Sequence, residues 1–426
     1  MRRTKALLAC SILPLFLIGC SDDDDDVVQE PAPTPEYANV RVVHAASDAP
    51  MVNITANDSI LNNLEGVDYQ VASSRFEVET GMYDIGVTGI LPGENAEVLQ
   101  ADVTLEADMN YDIFAVGNVS DDTLSLLTVT SMETAPGTDI TTEQPLVTAE
   151  FTDATDLIQV PAGDYQIRIT PAGETTVVYD SGSVNLADGA DLLIAATNNV
   201  GTGDSPVTLL AADGDGSFKI WDAEAGAAIR VVHGISDAPA VDVIANNEVV
   251  LVDGIQFPRT TDYVSVAAGD YLIDVVADSD NSVVAIDDAE LTLEVGMSYT
   301  AIANNVLSAP ELDVLVDLPR SVATEAKVRI VHASPSAGNV DIYVTADGEI
   351  DAVDPAFADI AYETGDLVET GYVSLAEGDY VVTVTPTGTK TVAIETGVLT
   401  LENGEIYTAI ALDGAMEGDL PQLALL

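Results

Sequence analysis

The chain has 426 residues, of which 47% are hydrophobic but only 5% are aromatic, and its formal net charge at pH 7 is -59. This length predicts two to four domains rather than one core, and the low aromatic content predicts cores built mostly from aliphatic side chains. Such a negative field repels nucleic acid and anionic lipid head groups, so nucleic acid is excluded as a partner. The simplest interpretation of the charge is solubility, and a cation-binding surface is the alternative.

The N-terminal residues carry the features of a bacterial export signal. Basic residues at the start are followed by an apolar run from Leu7 to Ile18, which is too short to span a membrane as a mature helix. Leu17-Ile18-Gly19-Cys20 resembles a lipobox, in which the chain is cleaved before the cysteine and the cysteine receives lipid. We therefore predict a lipoprotein signal peptide over residues 1-19, with Cys20 as the lipidation site that anchors the protein to a membrane. An ordinary secretory signal is the alternative.

Residues 20-36 read as an acidic, proline-rich spacer. Asp22 to Asp26 form a run of like charges that stays solvated, and a proline-rich stretch follows it. Ser21, directly after the cysteine, favours an outer membrane lipoprotein by the usual sorting pattern, on the periplasmic face or the cell surface. Cys10 would leave with the signal, so the mature chain would have one cysteine and no internal disulfide.

One short pattern recurs three times and contains every histidine of the chain. It reads Val40-Arg41-Val42-Val43-His44, then Ile229-Arg230-Val231-Val232-His233, then Val328-Arg329-Ile330-Val331-His332. Each copy is followed by a turn rich in Ser, Asp and Pro and by a second β-branched stretch. Side chains alternate along a strand, and β-branched residues suit a pleated surface. The pattern therefore predicts strand, turn, strand.

These residues carry a resemblance to a known family. The pattern V-R-V-V-H-x-x-x-D-A-P-x-V-D-V, with A-G-x-Y about thirty residues later, resembles the domain of unknown function 4397 family. The resemblance is strong over residues 228-318 and 326-426, good over 38-125 and weak between them. It implies secreted or surface-located domains similar to immunoglobulin-like β-sandwiches. The family has no established activity, so it implies no catalytic residue.

The predicted fold class is all-β, as tandem immunoglobulin-like antiparallel β-sandwiches. We predict repeat 1 over residues 37-125, a diverged repeat 2 over 126-225, repeat 3 over 226-320 and repeat 4 over 326-426. In repeat 2, Leu126 to Thr130 stands where the Arg-His strand belongs, and the alternative is a long linker plus a half-domain. Glycine-tyrosine corners recur in all four repeats, and we interpret their tyrosines as packing residues whose hydroxyls find backbone partners. They are Tyr83, Tyr165, Tyr271 and Tyr380.

The Arg-x-x-His residues are interpreted as structural. Residues three apart on a strand point to opposite faces, so Arg41 and His44 do not share a site. We expect each arginine to meet an acidic neighbour, with the turn aspartate as a candidate, and each histidine to bond to a turn. Three histidines in three separate repeats argue against one shared metal site. The motif residues are Arg41, His44, Arg230, His233, Arg329 and His332.

A calcium loop is the one cofactor hypothesis. Asp213, Asp215, Ser217 and Glu224 have the spacing of loop ligands, but Phe218 stands where such a loop needs glycine and no flanking helices are predicted. An acidic turn between strands is the alternative, with no cofactor. Trp221, the single tryptophan, is expected to lie in a core or an interface.

The function indicated is non-enzymatic, because no nucleophile elbow, phosphate loop or metalloprotease helix occurs in the sequence. We predict a lipid-anchored envelope protein that binds a protein or glycan ligand, or that serves as a scaffold. The alternatives are a hydrolase that acts on envelope polysaccharide with an acidic pair, and a calcium-dependent adhesin.

Overall fold

The computed structural model describes residues 35-61, 63-132, 145-363, 365-416 and 419-426, so the export signal, Cys20 and most of the spacer lie outside the described residues. Every regular element within these ranges is a β-strand, and Glu36–Leu426 forms one compact unit. The all-β prediction is confirmed. No helix among the described residues has the length and apolar character needed to cross a bilayer. The strands group into four sets, which we call modules 1 to 4.

Module 1 is a two-sheet sandwich. One sheet has the order β4-β1-β8-β9, with β5 also paired to β1, and the other has the order β3-β2-β6-β7. Its core lies between the sheets and is aliphatic, with Val40 and Val42 from one side and Ile54 and Val87 from the other. The strands are β1 (Tyr37–His44), β2 (Val52–Ala56), β3 (Ser59–Ile60), β4 (Val71–Ala72), β5 (Phe76–Glu79), β6 (Gly81–Gly89), β7 (Ala96–Leu105), β8 (Met109–Val116) and β9 (Ser125–Met132).

Module 2 is smaller. It contains two short two-stranded pairs, β10-β13 and β11-β12, and a three-stranded sheet of order β14-β15-β16. The strands are β10 (Gly163–Tyr165), β11 (Arg168–Ile169), β12 (Tyr179–Asp180), β13 (Val184–Leu186), β14 (Leu193–Asn198), β15 (Val207–Ala212) and β16 (Ser217–Ile220).

The boundary predicted between repeats 1 and 2 is wrong by one strand. The segment from Leu126 to Thr130 lies in β9, which pairs with β8 along its whole length and so completes module 1. A strand needs only a short loop to pair antiparallel with its predecessor, and this local pairing replaces the expected role as the first strand of a new repeat. The next predicted features, Ala135-Pro136 and Asp139-Ile140, lie outside the described residues.

Module 3 is again a sandwich, with sheets β20-β17-β23-β24 and β19-β18-β21-β22. A single aliphatic core joins the two sheets. Its strands are β17 (Ala227–His233), β18 (Val241–Ala245), β19 (Val249–Ile255), β20 (Val264–Val266), β21 (Gly269–Ala277), β22 (Asp280–Leu293), β23 (Ser298–Val306) and β24 (Ala309–Asp317).

Module 4 repeats that arrangement, with sheets β28-β25-β32-β33 and β27-β26-β29-β30, and with β31 also paired to β29. Its strands are β25 (Ala326–Ala333), β26 (Val340–Thr345), β27 (Phe357–Ile360), β28 (Val373–Leu375), β29 (Gly378–Pro386), β30 (Ile394–Glu395), β31 (Leu399–Leu401), β32 (Ile406–Leu412) and β33 (Gln422–Leu425).

The Arg-His strand is central and runs parallel to a neighbour in each complete module. β1 is parallel to β8, β17 to β23 and β25 to β32, over six or seven residue pairs. The sequence predicts purely antiparallel sheets, but the sheets that contain these pairs are mixed. A parallel pair needs a crossover, and here the chain makes it by passing through the second sheet before it returns.

Both faces of this strand are buried, which explains its dense β-branched composition. Val40 and Val42 face the core of module 1, whereas Val43 packs with Leu210 and Ala212 of module 2. Likewise, Val232 of module 3 and Val331 of module 4 lie in one shared cluster. The modules thus pack in two pairs, 1 with 2 and 3 with 4, through the sheets that carry the motif.

The tyrosine corners recur with the same hydrogen bond in all four modules. Each tyrosine hydroxyl donates to the carbonyl oxygen four residues earlier, over 2.6 to 3.0 Å. The glycine two residues before each tyrosine has φ between +146° and +156°, which favours a residue without a side chain. This is the backbone partner that the sequence predicts, and Tyr165 shows that module 2 shares the corner.

Candidate functional site

Each histidine of the motif holds the turn that follows its strand. Nδ1 of His44 accepts the N–H of Ala46, so the ring proton is on Nε2, which donates to the carbonyl of Pro50 over 3.0 Å. His233 and His332 make the same pair of bonds, to Pro239 and Gly338. Burial lowers the pKa of all three imidazoles below the ordinary 6.5, and the carbonyl bond raises it only in part.

An aromatic ring packs against the edge of each imidazole at nearly the same distance. The partners are Tyr69, Phe257 and Tyr362, with ring centroids 6.0 to 6.2 Å apart in a T-shaped arrangement. Sequence reasoning missed these aromatics, because insertions of different length separate them from the motif. Both nitrogens of every imidazole are engaged, and the three rings lie in three different modules. The structure therefore does not bring the histidines together.

The arginines connect modules rather than turns. Nε of Arg41 lies 2.8 Å from Asp112 of the neighbouring strand β8, and Nη1 donates to the carbonyls of Ala212 and Asp213 in module 2. Arg41 is itself almost fully buried. One guanidinium thus satisfies backbone oxygens at the end of β15 across the boundary between modules 1 and 2.

Modules 3 and 4 share one carboxylate between two arginines. Asp317, the last residue of β24, forms an ion pair with Arg329 of module 4 and lies 3.7 Å from Nε of Arg230 in module 3. Arg329 also donates to the carbonyl of Val316 over 2.9 Å and pairs with Glu369 at 3.3 Å. Its side chain has no exposed surface. We call Asp317, Arg230 and Arg329, with their contacts, the shared ion cluster.

The residue just before the next paired strand completes each arginine's surroundings. Tyr263 and Tyr372 lie under Arg230 and Arg329 at 4.8 and 4.6 Å from ring centroid to guanidinium carbon. In module 1 this position is Arg75, which approaches Asp112 at 3.3 Å. In the sequence, this position is marked by a large side chain immediately before Phe76, Val264 or Val373.

The aspartate of the turn does not meet the arginine, so that expectation is wrong. Asp48 instead accepts the N–H groups of Val119 and Ser120, in the loop between β8 and β9. Burial raises the pKa of Asp48, but hydrogen bonds from Ser120 and Val119 outweigh it and leave that pKa below the usual 3.8. Asp237 accepts the N–H of Leu307 in the same way. In module 4, Ser336 donates to Asp413. The turn thus bonds to the next hairpin in all three modules, but in module 4 the turn residue is the donor rather than the acceptor.

A second polar position of the motif caps the neighbouring edge strand or loop. Asn53, Asp242 and Asp341 follow the first valine of the second strand, and they accept the N–H groups of Gly66, Gly254 and Asp359 over 2.8 to 2.9 Å. The register of that strand pair shifts here in modules 3 and 4, as at a β-bulge. The aspartate of V-D-V is thus structural.

Three of the predicted calcium ligands, Asp213, Asp215 and Ser217, lie at the turn between β15 and β16. Asp213 accepts the N–H groups of Asp215 and Gly216 and closes the tight turn between β15 and β16. Ser217 accepts the N–H of Ala72 in module 1. The groups of three carboxylates that lie within 4.8 Å of one another among the described residues are other ones, and calcium binding at the Asp213 turn stays a prediction. Those groups are Asp242 with Asp253 and Asp278, and Asp274 with Asp287 and Asp288.

A cavity of about 260 Å³ lies at one end of module 4. His332, Ser334 and Ser336 form its polar rim, and Val384 and Ile394 are among its aliphatic walls. The imidazole and both hydroxyls are already bonded within the protein. Asp419 also lines the cavity, and its carboxylate accepts the N–H of Met416 over 3.1 Å.

Comparison with known proteins agrees with the repeated motif. The family model described as Domain of unknown function (DUF4397) matches residues 38–142 and 227–343, more than half of the chain. The chain belongs to this family. The matched DUF4397 regions contain the Arg-His strands β1, β17 and β25, and they leave out most of module 2. No curated protein matches.

Two solved structures show a distant likeness to this DUF4397 protein. The Bacillus anthracis TIE protein has 10% sequence identity and a TM-score of 0.15, over 88% of this chain and 68% of that one. A candidate cell adhesion protein from Bacteroides fragilis has 10% identity and a TM-score of 0.16, over 62% of this chain and 94% of that one. Scores this low carry no argument about function.

Proposed function

We propose that this protein is a non-enzymatic, lipid-anchored module array that binds a protein or glycan at the cell envelope, or serves there as a scaffold. The observation that carries the proposal is the use made of the recurring polar side chains. The polar residues of every Arg-x-x-His motif have structural partners within the chain. The histidines bond to turns, and the arginines contact groups at module boundaries.

The chemistry of these groups supports a binding role over a catalytic one. A general base needs a ring nitrogen within reach of a substrate proton, whereas both nitrogens of His44, His233 and His332 are engaged. The buried arginines Arg41 and Arg329 donate to carboxylates and carbonyls of the chain itself. Loops and edges of the sandwiches remain as surfaces for recognition.

The envelope location rests on the sequence of the N-terminus. Cys20 within Leu17-Ile18-Gly19-Cys20 would carry the lipid, and the acidic spacer would hold module 1 away from the bilayer. A lipid-anchored location, either on the periplasmic face of the outer membrane or on the cell surface, is part of the proposal.

The anchor is tested with C20A. We expect the wild-type protein to fractionate with membranes and C20A to be recovered in the soluble fraction, because no acyl chain can be attached without the thiol. A matched control is C10A, which alters a cysteine that would leave with the signal. Sedimentation of C20A with membranes would contradict the anchor without bearing on the binding role.

The binding role is tested with residues 21-426 immobilised and exposed to solubilised native envelope. We expect saturable capture of a protein or polysaccharide that heat-denatured bait does not retain. A turnover activity that one substitution abolishes, while the melting temperature is unchanged, would refute the proposal.

A further inference from the structure

One edge of module 2 is open where the same edge is filled in the three complete modules. β14 is the end strand of the order β14-β15-β16, and within the described ranges its only strand neighbour is β15. The corresponding strands β8, β23 and β32 each have a parallel Arg-His strand on that side. Among the described residues, module 2 therefore presents this edge with no strand paired to it.

The correspondence of β14 with these strands rests on strand pairing and on the arginine contacts between modules. Arg41 of module 1 donates to the carbonyl of Ala212 at the end of β15, as Arg329 of module 4 donates to the carbonyl of Val316 near the end of β24. β14 and β23 are the antiparallel partners of these two strands. β14 thus occupies the place in module 2 that β23 occupies in module 3.

The strand that precedes module 2 does not fill this edge. β9 pairs with β8 as β24 pairs with β23 and β33 with β32, so it is the last strand of module 1. Residues 133-144, which follow β9, lie outside the described residues. β14 and β15 pack against module 1 through Leu193, Ala195 and Leu210.

The backbone of β14 shows which groups are available. The bond from Asn199 to Pro206 sets the alternation, so residues 193, 195 and 197 bond to β15, while Ile194, Ala196 and Asn198 direct their N–H and C=O groups to the open edge. The carbonyl of Asn198 receives the hydroxyl of Tyr69 over 2.8 Å. Ile194 is 38% exposed. An unpaired edge beside an exposed aliphatic side chain is a template for strand addition.

We propose that β14 accepts an extended segment of a partner protein as a parallel strand. The segment would have β-branched or aliphatic residues at alternating positions, like the strands seated at this edge in the complete modules, and a basic residue near its N-terminal end. In a parallel pair that end lies beside the start of β14, where Asp188 and Asp191 are exposed. The inference rests on the proposed binding role and names the chemistry of its partner.

The test uses residues 21-426 and a synthetic peptide with the sequence Ala326–Ala333, which carries this pattern with Lys327 near its start. We expect saturable binding and slowed hydrogen exchange at the amides of Ile194 and Ala196. A196P removes an edge-facing donor that β15 does not use, and I194K adds a charge to the exposed edge. Each should weaken binding by about tenfold or more. V249K, at the exposed edge strand β19, is the matched control and should bind as wild type.

Several results would overturn the proposal. The first is an absence of saturable binding, and the second is equal binding by wild type, A196P and I194K. The third is a concentration-dependent dimer that A196P abolishes. The fourth is peptide binding that requires prior replacement of residues 133-144 by Gly and Ser. The last two would identify the occupant as a second copy or as the chain itself. If A196P and I194K still capture envelope material as wild type does, strand addition at β14 is refuted, and the proposed binding role would use another surface.

Discussion

Arg329 is the most completely buried charge in the described part of the chain, and its partners lie in both modules that it joins. Asp317 and the carbonyl of Val316 belong to module 3, whereas Glu369 belongs to module 4. Removing one member of a buried pair leaves the other without compensation, which costs more than the pair itself contributes. The arginine of the motif is therefore a determinant of module packing.

R329M should destabilise the protein by about 3 kcal/mol, because Asp317 keeps only Arg230, Tyr263 and Thr300 as partners. Differential scanning calorimetry of residues 21-426 would measure the shift. The matched control is R168M, which removes an ion pair whose arginine side chain is 55% exposed and should cost less than about 1 kcal/mol. Equal melting temperatures for R329M and wild type would contradict the role of the shared ion cluster.

The histidines predict a pH dependence of stability. Their pKa values are lowered in the folded state, so below pH 6.5 the unfolded chain binds protons that the native chain does not. Their contribution is complete above pH 6.5 and is lost as the pH falls from there through the lowered folded values. The melting temperature should therefore fall between about pH 6.5 and pH 5. Replacing one histidine with glutamine, as in H332Q, should make this slope shallower, whereas an unchanged slope would contradict the assignment.

At the level of single residues, the sequence predicts types of contact better than partners. Alternation along the strand separated Arg41 from His44, and the histidine bonds to the turn as expected. The partner of each arginine could not be read, because Asp112 and Asp317 come from strands far along the chain, and Asp317 serves another module. Long-range pairing depends on how modules pack, which local pattern does not encode.

Among the elements, the junction between modules 2 and 3 depends on two glycines and the single tryptophan. A Cβ on Gly296 would lie 2.4 Å from the Trp221 ring, and one on Gly201 would lie 2.6 Å from it. The half-buried indole thus fills a space that only glycine leaves, in agreement with the expectation that Trp221 lies in a core or an interface.

G296A should lower the melting temperature and shift the emission of Trp221, because the added methyl group displaces the ring. G189A is the matched control: both glycines have positive φ, +79° and +75°, but nothing lies within 4 Å of a Cβ at Gly189. Backbone strain alone costs about 1 kcal/mol at either position. Similar emission spectra for the two variants would show that Trp221 is not held by this contact.

The strands themselves were largely predictable, because β-branched runs alternate with glycine-rich turns throughout. The exception is β9, whose composition suits either the last strand of one module or the first strand of the next. Hydrophobic pattern cannot decide between these two roles. The choice follows from loop length, since β8 and β9 are joined by the short segment 117-124.

For the whole molecule, the net charge of -59 predicts that salt stabilises the fold. Raising NaCl from about 0.01 M to about 0.1 M shortens the screening length from about 30 Å to about 10 Å and weakens the repulsion among carboxylates. The melting temperature should rise over this range. CaCl₂ and MgCl₂ at matched ionic strength should raise it equally, and a larger increase with calcium would indicate a specific site.

The shared carboxylate of Asp317 also bears on how such chains are inherited and engineered. A duplication or deletion that separated residues 226-320 from 326-426 would leave the buried guanidinium of Arg329 without the carboxylate of Asp317. Modules 3 and 4 are therefore expected to be duplicated or lost together. A chimera built by grafting should carry both halves across together.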